Sequence, residues 1–258
     1  MKIVLSRKGF DSSNGRIPSP ILPDGTMLSL PIATDQPEGR FAGLFQDGRS
    51  YEQIILDLRG NAQMAAGNCH PDPDLRLAGR DIADWRPAFG QTDAAQTHLE
   101  NEGVGAGDLF LFFGRFRQTE QIGEKLRYVR GAPAVHAVFG YLQIAEILKG
   151  DQIGRLPWHP HASDTPRQNN TVYTATARLT GAELPGAGTL DHRQDRVLTA
   201  PGRTTSRWKL LPWMDRAHIS YHTSKALRGD HFQSTARGQE FVVEENAEVL
   251  KWALGILN

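Results

Sequence analysis

Gly107-Asp108-Leu109-Phe110-Leu111-Phe112-Phe113-Gly114 is the stretch that decides the fold. Side chains alternate across a strand, so an unbroken apolar run of strand length implies burial on both faces. The run is expected to end at Gly114, and Arg115 to Pro133 reads as a polar connection. Beyond it lies Val135-His136-Ala137-Val138-Phe139-Gly140-Tyr141-Leu142-Gln143-Ile144, continuing apolar to Leu148. Its first half has strand composition, and a glycine in the middle predicts a bulge or bend. Further out, Met1 to Leu5 reads as a short strand, Asn170 to Leu179 as a half-buried one, and Phe232 to Val243 as another. Tyr51 to Leu58 is a short helix or strand, and Ala94 to Glu102 is helical up to Gly103. Glu244 to Leu254 predicts a terminal helix with Val249, Leu250, Trp252 and Leu254 as its apolar side. Pro71 and Pro73 argue against regular structure over Asn68 to Asp74. No internal repeat or low-complexity linker is visible. The expectation is one α+β domain over residues 1–258, mainly β, with flanking helices and long loops.

Composition narrows the function classes. The 258 residues contain 39% apolar residues, enough for a sizeable core, and 29 basic against 29 acidic residues. A neutral chain has no broad basic field, so any contact with DNA would use a local patch. Cys69 is the only cysteine, which excludes an internal disulfide and a cysteine-based zinc cluster. Neither a signal-peptide pattern nor an apolar stretch of membrane-spanning length is present, so the expectation is a cytoplasmic protein without membrane partners.

Chemistry-bearing residues gather in loops. Ser6-Arg7-Lys8-Gly9-Phe10-Asp11-Ser12-Ser13-Asn14-Gly15-Arg16 concentrates cations and hydroxyls directly after the first strand. Lys8 and Arg16 can meet phosphate, Ser12 and Ser13 can donate, and Asp11 can hold a sugar hydroxyl or base amine. The alternative is an Ω-loop whose Asp11 and Ser12 satisfy their own backbone. His159-Pro160-His161 offers two close imidazoles, with His161 a candidate general base. A divalent ion would draw on His70, Asp72 and His159, with Asp74 a further donor, although no spacing here is diagnostic and no cofactor is assigned. Cys69 is read as a packed thiol rather than an activated one. Arg207 and Trp208 mix cation and aromatic as in base-stacking surfaces, or else anchor the core.

The chain resembles the nucleotide modification associated domain families, specifically the third type. The resemblance rests on Lys8-Gly9-Phe10-Asp11-Ser12-Ser13, Pro18-Ser19-Pro20-Ile21, Pro23-Asp24-Gly25, Gly107 to Gly114, Phe139 to Ile144 and Gly238-Gln239-Glu240-Phe241-Val242. It implies a bacterial or phage protein tied to hypermodified DNA bases, and assigns no reaction. Where such domains carry two glycines after the Ser-Ser step, this chain has Gly15-Arg16, which adds a cation. Locally, residues 107–113 and 140–144 are similar to the central hairpin of PUA-like barrels such as EVE and ASCH domains. That implies a compact barrel, or a strongly bent sheet, with a pocket for a base.

Three functional readings follow. The first is an enzyme processing a nucleotide or modified base in a loop-lined pocket, with Asp11, His161 and Glu240 as catalytic candidates. Lys8, Ser12, Ser13, Arg16, Arg207, Trp208 and His222 are then its substrate-binding candidates. The second is a non-catalytic reader of modified bases in DNA. The third rests on a likeness of Ser220-Tyr221-His222-Thr223-Ser224 and Glu240 to ADP-ribosyltransferases, which implies a glutamate at a reacting sugar. Its plain alternative is an ion pair of Glu240 with Arg237.

Overall fold

The computed structural model describes residues 1–235 and 239–258. Arg237 and Gly238 lie outside the described residues. The strands are β1 (Ile3–Arg7), β2 (Ser19–Ile21), β3 (Ile32–Thr34), β4 (Phe45–Gln46), β5 (Arg49–Ser50), β6 (Asn68–His70), β7 (Ala88–Gln91) and β8 (Leu109–Ile122). They continue with β9 (Lys125–Tyr128), β10 (Val135–Lys149), β11 (Thr171–Ala175), β12 (Ala187–Thr189), β13 (Arg207–Trp208), β14 (Leu227–Arg228), β15 (His231–Gln233) and β16 (Glu240–Val243). Four α-helices are described: α1 (Tyr51–Asp57), α2 (Ala62–Ala65), α3 (Asp93–Asn101) and α4 (Ala247–Leu257). The fold is α+β and mainly β.

β8 lies at the centre of a nine-stranded mixed sheet of order β16-β1-β8-β10-β11-β7, with β2 and β9 also on β8 and β12 on β10. Its aromatic run is buried on both faces, as the sequence requires. On one face Phe110 and Phe112 meet Phe89, with ring centroids 4.9 and 5.1 Å away. On the other, Phe113 packs edge-on against Trp208 at 5.1 Å and also meets Phe241. Alternate residues of one strand thus anchor two aromatic clusters.

The strand does not stop at Gly114. β8 runs on to Ile122 and turns back as β9, pairing Ile122 with Lys125. The predicted polar connection is therefore mostly hairpin, with outward polar residues in the distal half of β8 and in β9. Gly114 is small because a Cβ there would sit 2.9 Å from the Lys8 carbonyl oxygen. The β8–β10 register shifts between Val138 and Gly140, the expected bulge. A Cβ on Gly140 would meet the Gly188 carbonyl oxygen at 3.0 Å and Leu75 at 2.5 Å.

Three other boundaries differ from expectation. Asn68–His70 is a short strand on β3, ending just before Pro71, so proline limits the strand without preventing it. Phe232 to Val243 divides between β15 and β16, which belong to different sheets. α4 starts later and ends later than predicted: the Asn246 side chain accepts from Glu248 and Val249 N–H groups, and Val249, Ala253, Ile256 and Leu257 are its buried residues.

The sheet path is open, and no closed barrel forms among the described residues. Instead the sheet bends until its two edges meet through side chains: Gln91 of β7 donates to Glu240 of β16 at 2.5 Å. A second core of Phe10, Leu28, Leu30, Phe41, Tyr51, Ile54, Ile55 and Cys69 lies beside the sheet under the N-terminal loop. No helix among the described residues is long and apolar enough to cross a membrane.

Candidate functional site

Where the sheet edges meet, a cleft of about 730 Å³ opens. Four regions wall it: the loop after β1, the end of β7 with the first turn of α3, the β3–β6 pair, and the segment around His161. Thr92, Asp93, Ala94 and Ala95 present the N-terminal end of α3, with its partial positive charge, to the cleft. Ile32, a large apolar side chain left 37% exposed, stands in the same wall.

The N-terminal loop owes its shape to two residues. Phe10 is fully buried in the second core. The Asp11 Oδ1 atom accepts from the backbone N–H groups of Ser13 and Asn14, each at 2.7 Å. This is the turn-forming role the sequence offered as the alternative, with Asp11 still lining the cleft. Lys8 follows β1 directly, and its Nζ lies 2.8 Å from Glu240 Oε1 and 4.4 Å from the Phe89 ring centre. Glu240, paired to Lys8 and Gln91, is only 1% exposed. Buried beneath Lys8, it does not present the open carboxylate that an ADP-ribosyltransferase reading requires.

The deepest cluster comes from two short segments. His70 Nδ1 lies 2.5 Å from Glu38 Oε2. A carboxylate oxygen accepts, so Nδ1 carries a proton and Nε2 is the nitrogen left for a further partner. Glu38 also pairs with Arg167, and against its burial the His70 hydrogen bond holds its carboxyl below the usual range. His161 Nδ1 lies 2.6 Å from the Asn170 side-chain oxygen, while the Asn170 amide nitrogen donates to the His161 carbonyl. That second bond orients the amide, so His161 Nδ1 donates and its Nε2 is bare. Burial depresses the His161 imidazole to about 3 despite the nearby Asp72.

Asp72 sits between these rings. Its Oδ1 accepts from Gly90 N–H at 2.8 Å and lies 3.3 Å from His159 Nε2. His159 Nδ1 accepts from His161 N–H at 3.2 Å, so the His159 ring proton is on Nε2, the nitrogen beside Asp72. Burial raises the Asp72 carboxyl, yet the three imidazoles facing it, His159 foremost, favour its charged form and hold it at about 2. One nitrogen each of His70 and His161 and one Asp72 oxygen lie within 4.8 Å of one another. A Cβ on Gly90 would reach 2.3 Å from the His161 ring, so only glycine leaves the ring its place.

Lys8, Asp11, Ser13, His70, Asp72 and His161 thus line one cleft, with Glu240 and His159 immediately behind it. The other candidates lie elsewhere. Ser12 and Arg16 are exposed and are not among its lining residues. Trp208 is 1% exposed in the core, a packing anchor rather than a stacking surface, and Arg207 pairs beside it with Gln233. His222 spends both nitrogens on backbone, at Ser220 O and Thr235 N–H. Asp74 is committed to Arg80 at 2.6 Å. Cys69 is fully buried and its thiol is pushed up to about 12 by burial, as a packed cysteine should be. Sequence reasoning missed Glu38, Gln91, Arg167 and Asn170, whose roles depend on partners far along the chain.

The model of nucleotide modification associated domain 3 matches residues 2–244. The chain belongs to this family. Membership connects this domain to nucleotide or DNA modification, in line with the resemblance above. The matched span includes every wall of the cleft, from Arg7 to Gln239. Comparison with curated proteins and with solved structures gave no match.

Proposed function

We propose that this nucleotide modification associated domain processes a nucleotide or modified DNA base in the cleft at the closed end of its bent sheet. The observation that carries the reading is convergence: titratable side chains from four separate stretches of a family-wide match meet in one hollow. Its volume of about 730 Å³ lies in the range that holds a small-molecule ligand. Lys8 is held between Glu240 and the Phe89 face, and an ammonium has three donors, so it can keep Glu240 and still meet a phosphate. The α3 N-terminus favours the same anion. Ile32 and Ala33 offer an apolar wall to a base.

The test is calorimetric titration of the whole chain with a panel of nucleotides, modified nucleosides and single-stranded DNA, beside an Ala94→Trp variant. Ala94 is exposed at the cleft lip, so tryptophan there fills the cleft without entering the core. Saturable binding that falls at least tenfold in Ala94→Trp, with unchanged melting temperature, supports the reading. Equal binding by both proteins, or no binding by wild type, overturns it.

A further inference from the structure

We propose that His70 Nε2, Asp72 and His161 Nε2 bind one divalent first-row transition-metal ion at the floor of the cleft. The inference deepens the nucleotide reading by naming a cofactor class for the same site, but it stands on its own geometry.

The lone-pair arrangement is the main argument. His70 donates Nδ1–H to Glu38 and His161 donates its own to Asn170, which leaves each ring its Nε2 for a ligand, and one nitrogen of each ring lies within 4.8 Å of the other and of an Asp72 oxygen. His70 Nε2 and Asp72 Oδ2 are 3.8 Å apart, too far for a hydrogen bond and far enough for one ion to lie between them. Two imidazole nitrogens and a carboxylate oxygen converging in this way make a donor set for a cation. Among the described residues no Lys or Arg ion pair with Asp72 exists to supply it.

The surroundings match a ligand set and its supports. Metal-bound imidazoles ordinarily donate their second nitrogen to a carboxylate or carbonyl, which fixes the ring. Glu38 and the Asn170 side chain do this for His70 and His161, while Gly90 N–H holds Asp72. Gly90 leaves room for the His161 ring. Two imidazoles and one carboxylate suit iron(II), manganese(II), cobalt(II) or zinc, whereas calcium and magnesium take oxygen donors. Three protein ligands leave positions open to the cleft. Its lining carries the cations Arg7, Lys8 and Arg167 against the carboxylates Asp11, Glu38, Asp72 and Asp93, so a bound divalent ion would add to the attraction that Lys8 offers a phosphate.

The test is titration of chelator-stripped, full-length protein with cobalt(II), followed by its visible ligand-field absorption, and displacement by zinc. Nucleotide is left out, so failure here leaves the nucleotide reading standing, and failure of that reading leaves this one. The expected result is one cobalt(II) per chain. Affinity should fall at least a hundredfold in Asp72→Asn and His161→Gln, 10–100-fold in Glu38→Gln, and not at all in His218→Gln, an exposed histidine elsewhere. Circular dichroism identifies any variant that fails to fold, and Glu38→Gln, which keeps all three ligands, then decides. No binding by wild type, or equal binding by wild type and the folded variants, overturns the site.

Discussion

Gly90 and Arg16 show what one backbone position can demand. At Gly90 the demand is space, since a methyl group would collide with the His161 ring. Gly90→Ala keeps the N–H donated to Asp72 but displaces the imidazole. It is expected to lower cobalt(II) affinity at least tenfold, with an overpacking cost of about 1–3 kcal/mol in urea unfolding. At Arg16 the demand is conformation. Its φ of 62° is left-handed, beside Gly15 at 75°. Arginine is strained at this position, where glycine would not be. Arg16→Gly should stabilise the fold by about 1 kcal/mol, read as a higher urea midpoint at constant slope. Arg16 is outside the cleft, so nucleotide and metal binding should not change. At this scale the sequence was informative about residue types and blind to their partners. Lys8 and Asp11 stood out from composition, whereas Glu38 became visible only when His70 and Arg167 came to meet it.

Elements place these residues, and one side chain ties the N-terminal loop to the fold. Phe10 is fully buried in the second core, and its ring fills the space where a Cβ on Gly15 would stand. Phe10→Ala should cost about 3–5 kcal/mol. Hydrogen exchange should quicken at Phe10 and Asp11, whose N–H groups bond Leu30 O and Asn14 O, far more than at Leu109 to Phe113. The central strands were legible because their signal is local: an apolar run means burial, and a glycine inside it means a bulge. Boundaries were less so. Gly114 reads as a stop, but its missing side chain serves the close approach of the Lys8 carbonyl, and the strand continues through polar residues. Val249, Leu250, Trp252 and Leu254 read as the apolar side of α4; Val249 is fully buried, the other three pack half-buried on the core, and Ala253, Ile256 and Leu257 are buried with Val249.

At the scale of the molecule, pairing of β1 with β16 brings Lys8 to Glu240 across 232 positions, and the bend of the sheet brings Gln91 to Glu240 across 149. No spacing in one sequence encodes such meetings. The paired motifs around His70 and His161 were visible, but their convergence required the fold. Packing against Phe113 and Trp208 buries His136 of β10, whose Nδ1 accepts from Trp208 Nε1 at 3.0 Å. Burial, helped by the Arg7 and Arg115 charges, lowers its imidazole from 6.5 to about 3. Between those values the unfolded chain binds a proton that the folded chain refuses, so this contribution is present above pH 6.5 and is lost as pH falls toward 3. Its slope is at most about 1.4 kcal/mol per pH unit. His136→Gln, which retains an acceptor for Trp208, should remove about one proton from the acid dependence of unfolding; an unchanged slope would contradict this.

The proposed site for nucleotide chemistry lies where the sheet edges meet. Its most direct measurement is anomalous diffraction from a crystal grown with manganese(II) and the nucleotide that binds best in solution. The predicted result is one anomalous peak between His70, Asp72 and His161, with nucleotide density beside it against Lys8 and the first turn of α3. A nucleotide seated on another face, with this cleft holding neither ion nor ligand, would contradict the account.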